Sequence, residues 1–392
     1  MKLLIKNGII LTMSGTMYQP GDLLIEDGKI KEIAPTITIS EEESLITIPA
    51  SNCIVMPGII EAHCHVGITE EKKGKEGDDS NETSSPVTPY LRAIDAINPL
   101  DPAFHDAIRA GITGVMVGPG STNVVGGQFA FLKTAGSRCI EDLAILNPAA
   151  MKVAFGENPK SFYGEQAMMP FTRMGIAFLL REELWKAKQY QRKKKKAEET
   201  LEEFEEDFQL EPWIPVLEKK IPLKAHVHRT DDILTAIRIA KEFDLDMTLD
   251  HCSEGHLISK EILDSGFPAI VGPDLASRNK IEVQNMCFKT AGELSRTGVM
   301  VSITTDHPVS LIQTLPICAG LAVKNGLLME DGLKAITINA AKICRVDQRI
   351  GSLEIGKDAD IAIFDGNPLE VFTNCLYTII DGKIVYQYHK PK

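Results

Sequence analysis

The sequence predicts an α/β barrel flanked by β-rich segments at both ends. Three observations carry that expectation. Apolar stretches alternate with helical ones through the middle of the chain, several of these stretches end in histidine or a carboxylate, and both termini consist of short strands joined by Asn-Gly or Asp-Gly turns.

The middle of the chain supplies the barrel. IVMPGIIEAH, GVMVGPG, MKVAFGE, PLKAHVH, DMTLDH, PAIVGP and VMVSITTD read as strands apolar on both faces. Strands of that kind belong to a parallel sheet covered by helices, and a number near eight favours closing it over leaving it open and doubly wound. Residues 181–208 interrupt the rhythm with a charge-dense helix. Its basic run, Arg192 to Lys196, is nearly cancelled by the acidic residues that follow, which suits a solvated helix with salt-bridging faces better than a binding patch.

The termini supply the second unit. LLIKNGIIL and DLLIEDGKIKEI carry turn chemistry at Asn7-Gly8 and Asp27-Gly28, and ADIAIFDG and LYTIIDGKIVY repeat the grammar near the C-terminus. Residues 1–55 and 346–392 are expected to share one sheet-based domain, leaving 56–345 for the barrel.

Bulk properties narrow the function. With 44% hydrophobic and 24% charged residues over 392 positions, the chain has ample material for a core. A formal charge of −12 argues against nucleic acid or an anionic membrane as partner. The eight cysteines contain no C-x-x-C pair, so a zinc ribbon or disulfide framework is not expected and a cytoplasmic location is. The apolar start, MKLLIKNGIILTM, is broken by Lys6, Asn7 and Gly8 and reads as a strand rather than a signal peptide. No stretch reaches the roughly 18 uninterrupted apolar residues of a membrane span. A small-molecule substrate and a homo-oligomeric assembly are expected.

The chemistry is concentrated at strand ends. His63 and His65 close IVMPGIIEAH, and alternate strand residues point the same way, so two imidazoles at i and i+2 can converge on one ion. His226 and His228 close PLKAHVH, His251 closes DMTLDH, Asp306 closes VMVSITTD and Glu157 closes MKVAFGE. A single histidine is more simply a hydrogen-bonded core residue. Ligand types recurring at the C-terminal ends of successive strands, where barrel active sites lie, point to a metal centre. Gly126-Gly127-Gln128 reads as a glycine-rich loop, either approaching substrate through Gln128 or making a plain turn; it lacks the Lys-Ser/Thr of a phosphate loop.

VMPGIIEAHCH, the strand-end histidines, TTDHP and INAAKICRVDQRIGSLEIGKDADIAIFDGNP together resemble the amidohydrolase superfamily over essentially the whole chain, its imidazolonepropionase-like and Xaa-Pro dipeptidase-like branches in particular. The resemblance implies a distorted (β/α)8 TIM barrel with a small β-sandwich formed by both termini. It also implies one or two divalent metal ions, zinc being the expected one: His63 and His65 hold one, His226 and His251 the other, and Asp306 touches metal and handles protons. Between the metals the superfamily uses either a glutamate or a carboxylated lysine; Glu157, at its strand's end, is preferred to Lys152, nearer the middle. A divalent ion lowers the pKa of bound water and polarises a carbonyl. Asp306 would take the proton and return it to the leaving nitrogen, while His228 would either hydrogen-bond the carbonyl oxygen or pack behind the ligands.

Deaminases of the superfamily carry a glutamate three residues beyond the fifth-strand histidine. Here position 229 is Arg and position 231 is Asp, which disfavours deamination and imidazolonepropionase proper, leaving an imidazolonepropionase-like cyclic amidase or deaminase as the alternative. The His226-Val-His228 pattern resembles the fifth strand of the Xaa-Pro dipeptidase branch, and that resemblance implies hydrolysis of an amide-type C–N bond in a dipeptide, N-acyl amino acid or cyclic amide. Arg229 or Arg173 either holds a substrate carboxylate by bidentate pairing or makes a structural salt bridge. Retention of His63, His65, His226, His251 and Asp306 argues against a barrel that has lost catalysis.

Overall fold

Asp-Gly turns close two of the expected hairpins. In the computed structural model, which describes residues 2–39, 45–71 and 74–389, strands β1 (Lys2–Leu11), β2 (Met17–Glu26), β3 (Lys29–Ala34), β4 (Leu45–Pro49) and β5 (Ile54–Pro57) open the chain. Residues 1, 40–44, 72–73 and 390–392 lie outside the described residues. Asp27, at φ 50°, turns β2 into β3, with Glu26 opposite Lys29. Asn7-Gly8 does not turn the chain. It sits within β1, where the register with β2 shifts between Ile5 and Gly8, and the Asn7 amide donates to Asp22 Oδ1 at 2.8 Å. The expected hairpin there is a bulge: β1 pairs with β4 before it and with β5 after it.

The barrel strands follow as β6 (Ile59–Cys64), β7 (Ile112–Val117), β8 (Val125–Lys133), β9 (Ala144–Ala154), β10 (Leu223–Val227), β11 (Met247–His251), β12 (Ala269–Val271) and β13 (Val301–Ile303), adjacent in sequence order. One of them corrects the all-parallel expectation. β8 runs antiparallel to both β7 and β9, and it contains the Gly126-Gly127-Gln128 segment that reads as a loop. Only residues 118–124 join β7 to β8, too few for a parallel crossover, which needs a dozen or more. The distortion of the barrel is therefore set by a short connection.

The seam between the first and last barrel strands is tied by side chains. Glu61 of β6 is fully buried, and its Oε2 accepts from the Thr305 amide at 2.8 Å and the Thr305 hydroxyl at 2.6 Å just beyond β13. Thr304 Oγ1 donates to the His63 carbonyl at 2.6 Å. These bonds fix where the two ligand-bearing strand ends stand relative to one another.

The charged helix spans Arg173–Thr200, earlier in both start and stop than the expected 181–208. Leu201 ends it in a left-handed conformation at φ 54°. Lys186 pairs with Glu182 and Glu183, and Lys194 with Glu206 and Glu211.

Strands β14 (Ile361–Phe364), β15 (Cys375–Ile380) and β16 (Lys383–Gln387) return to the first sheet, in the order β16-β15-β14-β5-β1-β2-β3 with β4 on β1. Asp381-Gly382 closes the β15–β16 hairpin. Lys133, at the end of β8, joins barrel to sheet: its buried ammonium contacts Asp358 at 2.9 Å, Asp360 at 3.1 Å and also Asp381. Lys133→Met strips three carboxylates of a common cation, two of them buried. We expect a loss of about 3 kcal/mol of stability, read as a lower urea midpoint at unchanged slope.

Candidate metal centre

The centre is assembled from residues whose own hydrogen bonds fix which nitrogen each imidazole offers. His65 Nδ1 lies 2.7 Å from the Gly118 carbonyl oxygen and His251 Nδ1 2.8 Å from the Gly272 carbonyl oxygen. A carbonyl only accepts, so both Nδ1 atoms carry the proton and both Nε2 atoms present lone pairs. His63 Nδ1 donates in the same way to Asp250 Oδ2 at 2.6 Å. A ring held through one nitrogen by a carboxylate or carbonyl is oriented to ligate through the other.

Those lone pairs face a carboxylate. Asp306 Oδ1 stands 3.2 Å from His65 Nε2 and 3.5 Å from His63 Nε2, and it is buried without a hydrogen-bond partner. Three acceptors turned on one another repel unless a cation sits between them. Their spacing is that of ligands sharing an ion at about 2.1 Å. His63, His251 and Asp306 bring ligand atoms within 4.8 Å of one another, and so do His226, His228 and His251. The residues present therefore fit divalent metal.

Burial lowers the pKa of His63, His226 and His251 well below the usual value, helped by Lys152 at His63 and by His228 at His226, and it pulls His228 down to about 4. All four are neutral near pH 7, as ligands must be. Burial pushes the Asp306 carboxyl up, but His251 and His65 outweigh it and hold it below its ordinary value. His251 and Asp306 occupy left-handed backbone at φ 72° and 50°, as does Cys252 at 48°. Such conformations cost about 1 kcal/mol or more each in non-glycine residues and cluster where geometry serves a site.

Lys152 stands beside the first ligand group. It is fully buried on β9, with Nζ 3.2 Å from His63 Nε2 and 5.6 Å from the Phe129 ring centre. Burial draws its pKa down to about 8, against the pull of Asp250 and Asp306. Glu157, the preferred bridging residue in the sequence, joins neither ligand group. Past the end of β9, Gly156 adopts φ 85°, and Glu157 opens the helix Glu157–Glu165. There its amide donates to Glu282 Oε2 at 2.7 Å and its own Oε2 accepts from the Glu282 amide at 3.3 Å.

His228 stacks on His251 at 4.9 Å with 17° between ring planes, and its Nδ1 lies 2.8 Å from Ser253 Oγ. The other candidates are engaged by neighbours. Gln128 is buried on β8 and gives its amide to the Pro89 carbonyl at 3.2 Å. Arg229 pairs with Asp231 at 3.0 and 3.1 Å, and Arg173 with Asp232 at 2.9 and 3.1 Å, which is the salt-bridge alternative for both.

Asp250, Lys224, Glu61 and Glu282 escape the strand-end reading. Asp250 accepts from His63, from Thr248 at 2.6 Å and from Lys224 Nζ at 3.0 Å, all buried. The signal was available: a lysine and an aspartate inside otherwise apolar strands must be paired. Asp250→Asn should weaken metal affinity about 10- to 100-fold by loosening the His63 ring, measurable by competition with a chelating dye.

Imidazoles and an aspartate that could hold a divalent ion thus converge at the strand ends of the barrel. The sequence profile of the amidohydrolase family matches residues 182–386, and the chain belongs to that family. An amidohydrolase of known structure from Thermotoga maritima MSB8 is 38% identical and superposes with a TM-score of 0.94 over 98% of this chain and 100% of its own. Amidohydrolase tasK from Hapsidospora irregularis is 29% identical over 94% of this chain, which spans only 40% of that protein's length. A Xaa-Pro dipeptidase solved with bound methionine shares the fold at 14% identity, TM-score 0.58, over 99% of this chain and 100% of its own. Among the described residues, no helix is long and apolar enough to cross a membrane.

Proposed function

We propose that this amidohydrolase cleaves an amide-type C–N bond in a dipeptide, N-acyl amino acid or cyclic amide, with zinc held by His63, His65, Asp306, His226 and His251. The observation that carries the reading is the convergence of His63 and His65 Nε2 on the unpaired Asp306 Oδ1. Nitrogen-rich ligands with carboxylate favour zinc or a near relative over magnesium or calcium. Lys152, carboxylated on Nζ, would supply a further oxygen ligand in this reading: the neutral amine attacks carbon dioxide, an N–C bond forms and one proton leaves to solvent.

A divalent ion held by these residues would lower the pKa of a bound water towards neutrality and polarise the scissile carbonyl. Asp306, whose carboxyl lies below its ordinary value, would accept the attacking water's proton and deliver it to the departing nitrogen. His228 stands beside the ligands with its ring fixed by Ser253 and can steady the carbonyl oxygen. Asp250 and Glu61 keep His63 and the strand ends in place. The eight thiols are all unpaired, which supports a reducing, cytoplasmic setting.

The test is to strip the protein with chelator, restore zinc, and assay dipeptides, N-acyl amino acids and cyclic amides. Metal-dependent release of amine from one of these classes is expected. Protein that takes up no zinc, or that takes it up and cleaves no amide, would sink the reading.

A further inference from the structure

One buried carboxylate oxygen beside the histidines receives no hydrogen bond. Glu282 is 1% exposed and lies in the short helical turn Ile281–Val283 that follows β12. Its Oε2 accepts the Glu157 amide, while Oε1 receives no hydrogen bond. Oε1 stands 3.8 Å from His226 Nε2, 3.9 Å from His228 Nε2 and 3.8 Å from Lys280 Nζ, all beyond hydrogen-bond reach. A buried charged acceptor left unmade costs on the order of 1–3 kcal/mol or more.

The surroundings hold this oxygen rigidly in that state. Glu157 and Glu282 clasp each other through reciprocal amide-to-carboxylate bonds. Gly156 allows the close pass, since a Cβ there would come within 2.6 Å of Glu282 Oε2 and 3.1 Å of Asp232 Oδ2. The nearby cations are directed elsewhere: Lys280 donates to Asn158 Oδ1 and Arg173 to Asp232. None of these neighbours reaches Oε1 within hydrogen-bond distance, so its lone pairs remain open to a further donor.

We propose that Glu282 receives the protonated α-amino group of the substrate, so that the favoured amides are aminoacyl compounds, dipeptides with a free N-terminus, rather than N-acyl amino acids. This rests on the amide-hydrolase reading of the site. The carbonyl to be cleaved must lie at the histidines, and an α-amine is two bonds from its carbon. A carboxylate adjoining His226 and His228 is where that amine arrives, and a charge-assisted hydrogen bond there is among the strong ones.

The test pairs aminoacyl-leucines with isosteres that lack only the amine, such as alanyl-leucine against propanoyl-leucine. Zinc-loaded wild type should favour the aminoacyl member by on the order of a hundredfold in kcat/KM, because a site built around a donor rejects the analogue lacking it. Glu282→Gln should bring that ratio to within a few-fold while binding as much zinc as wild type. Calorimetric titration of zinc-loaded Asp306→Asn protein with the same pairs should give the same order of affinities without turnover. Equal or inverted preference in wild type, a ratio unchanged in Glu282→Gln, or loss of zinc from that variant each overturns the inference. Preferred cleavage of the desamino series overturns it and leaves amide hydrolysis standing; no cleavage of either series or of cyclic amides, with zinc bound, overturns both.

Discussion

Replacing Lys152 by methionine is expected to lower the metal content of the purified protein to one equivalent or less per chain and to cut turnover about 10³-fold, worth ~4 kcal/mol of barrier. The expectation follows from position. Lys152 is fully buried with Nζ 3.2 Å from His63 Nε2, and methionine fills similar volume without an amine to carboxylate. Metal analysis of the variant should be matched by intact-mass measurement of the wild type under bicarbonate, where one added carbon dioxide per chain is expected and should be absent from Lys152→Met. Glu157→Ala supplies the contrast. Because the Glu157 carboxylate serves the Glu282 amide, that variant should keep its metal count. A wild-type metal count in Lys152→Met, with loss in Glu157→Ala, would return the bridging role to the glutamate.

That contrast marks how far the sequence reaches. Strand-end histidines are readable because they recur at the C-terminal ends of successive strands, where barrel sites lie, and six-residue β6 delivers His63 there. Whether Lys152 or Glu157 lies nearer the histidines is not readable, because the position of Glu157 turns on one backbone angle. Gly156 at φ 85° swings Glu157 out of line with β9, and nothing in MKVAFGE announces which way the chain leaves. β8 is hidden for a related reason: two glycines look like a loop, yet they begin a strand whose direction is dictated by the short connection before it. Asn7-Gly8 misleads in the opposite sense, since the same dipeptide serves a bulge as well as a turn. Asp250 and Glu282 depend on contacts between elements far apart in sequence, His63 with Asp250 and Glu157 with Glu282, which spacing along one strand cannot reveal.

Asp306→Asn is expected to hold zinc yet lose turnover by about 10²- to 10⁴-fold, the range associated with removing a positioned acid–base group. Asparagine retains one oxygen for the metal side, where His63 and His65 approach Asp306 Oδ1. It cannot accept a proton and return it. The carboxyl lies below its ordinary value despite burial, so the group is ionised at neutral pH and ready to accept. Its backbone, at φ 50°, tolerates asparagine better than most residues, so folding should be little disturbed. The decisive measurement is kcat alongside zinc per chain in the same preparation. Full zinc with lost kcat assigns proton transfer to Asp306, zinc lost in parallel with kcat makes it a ligand alone, and undiminished kcat removes it from the chemistry.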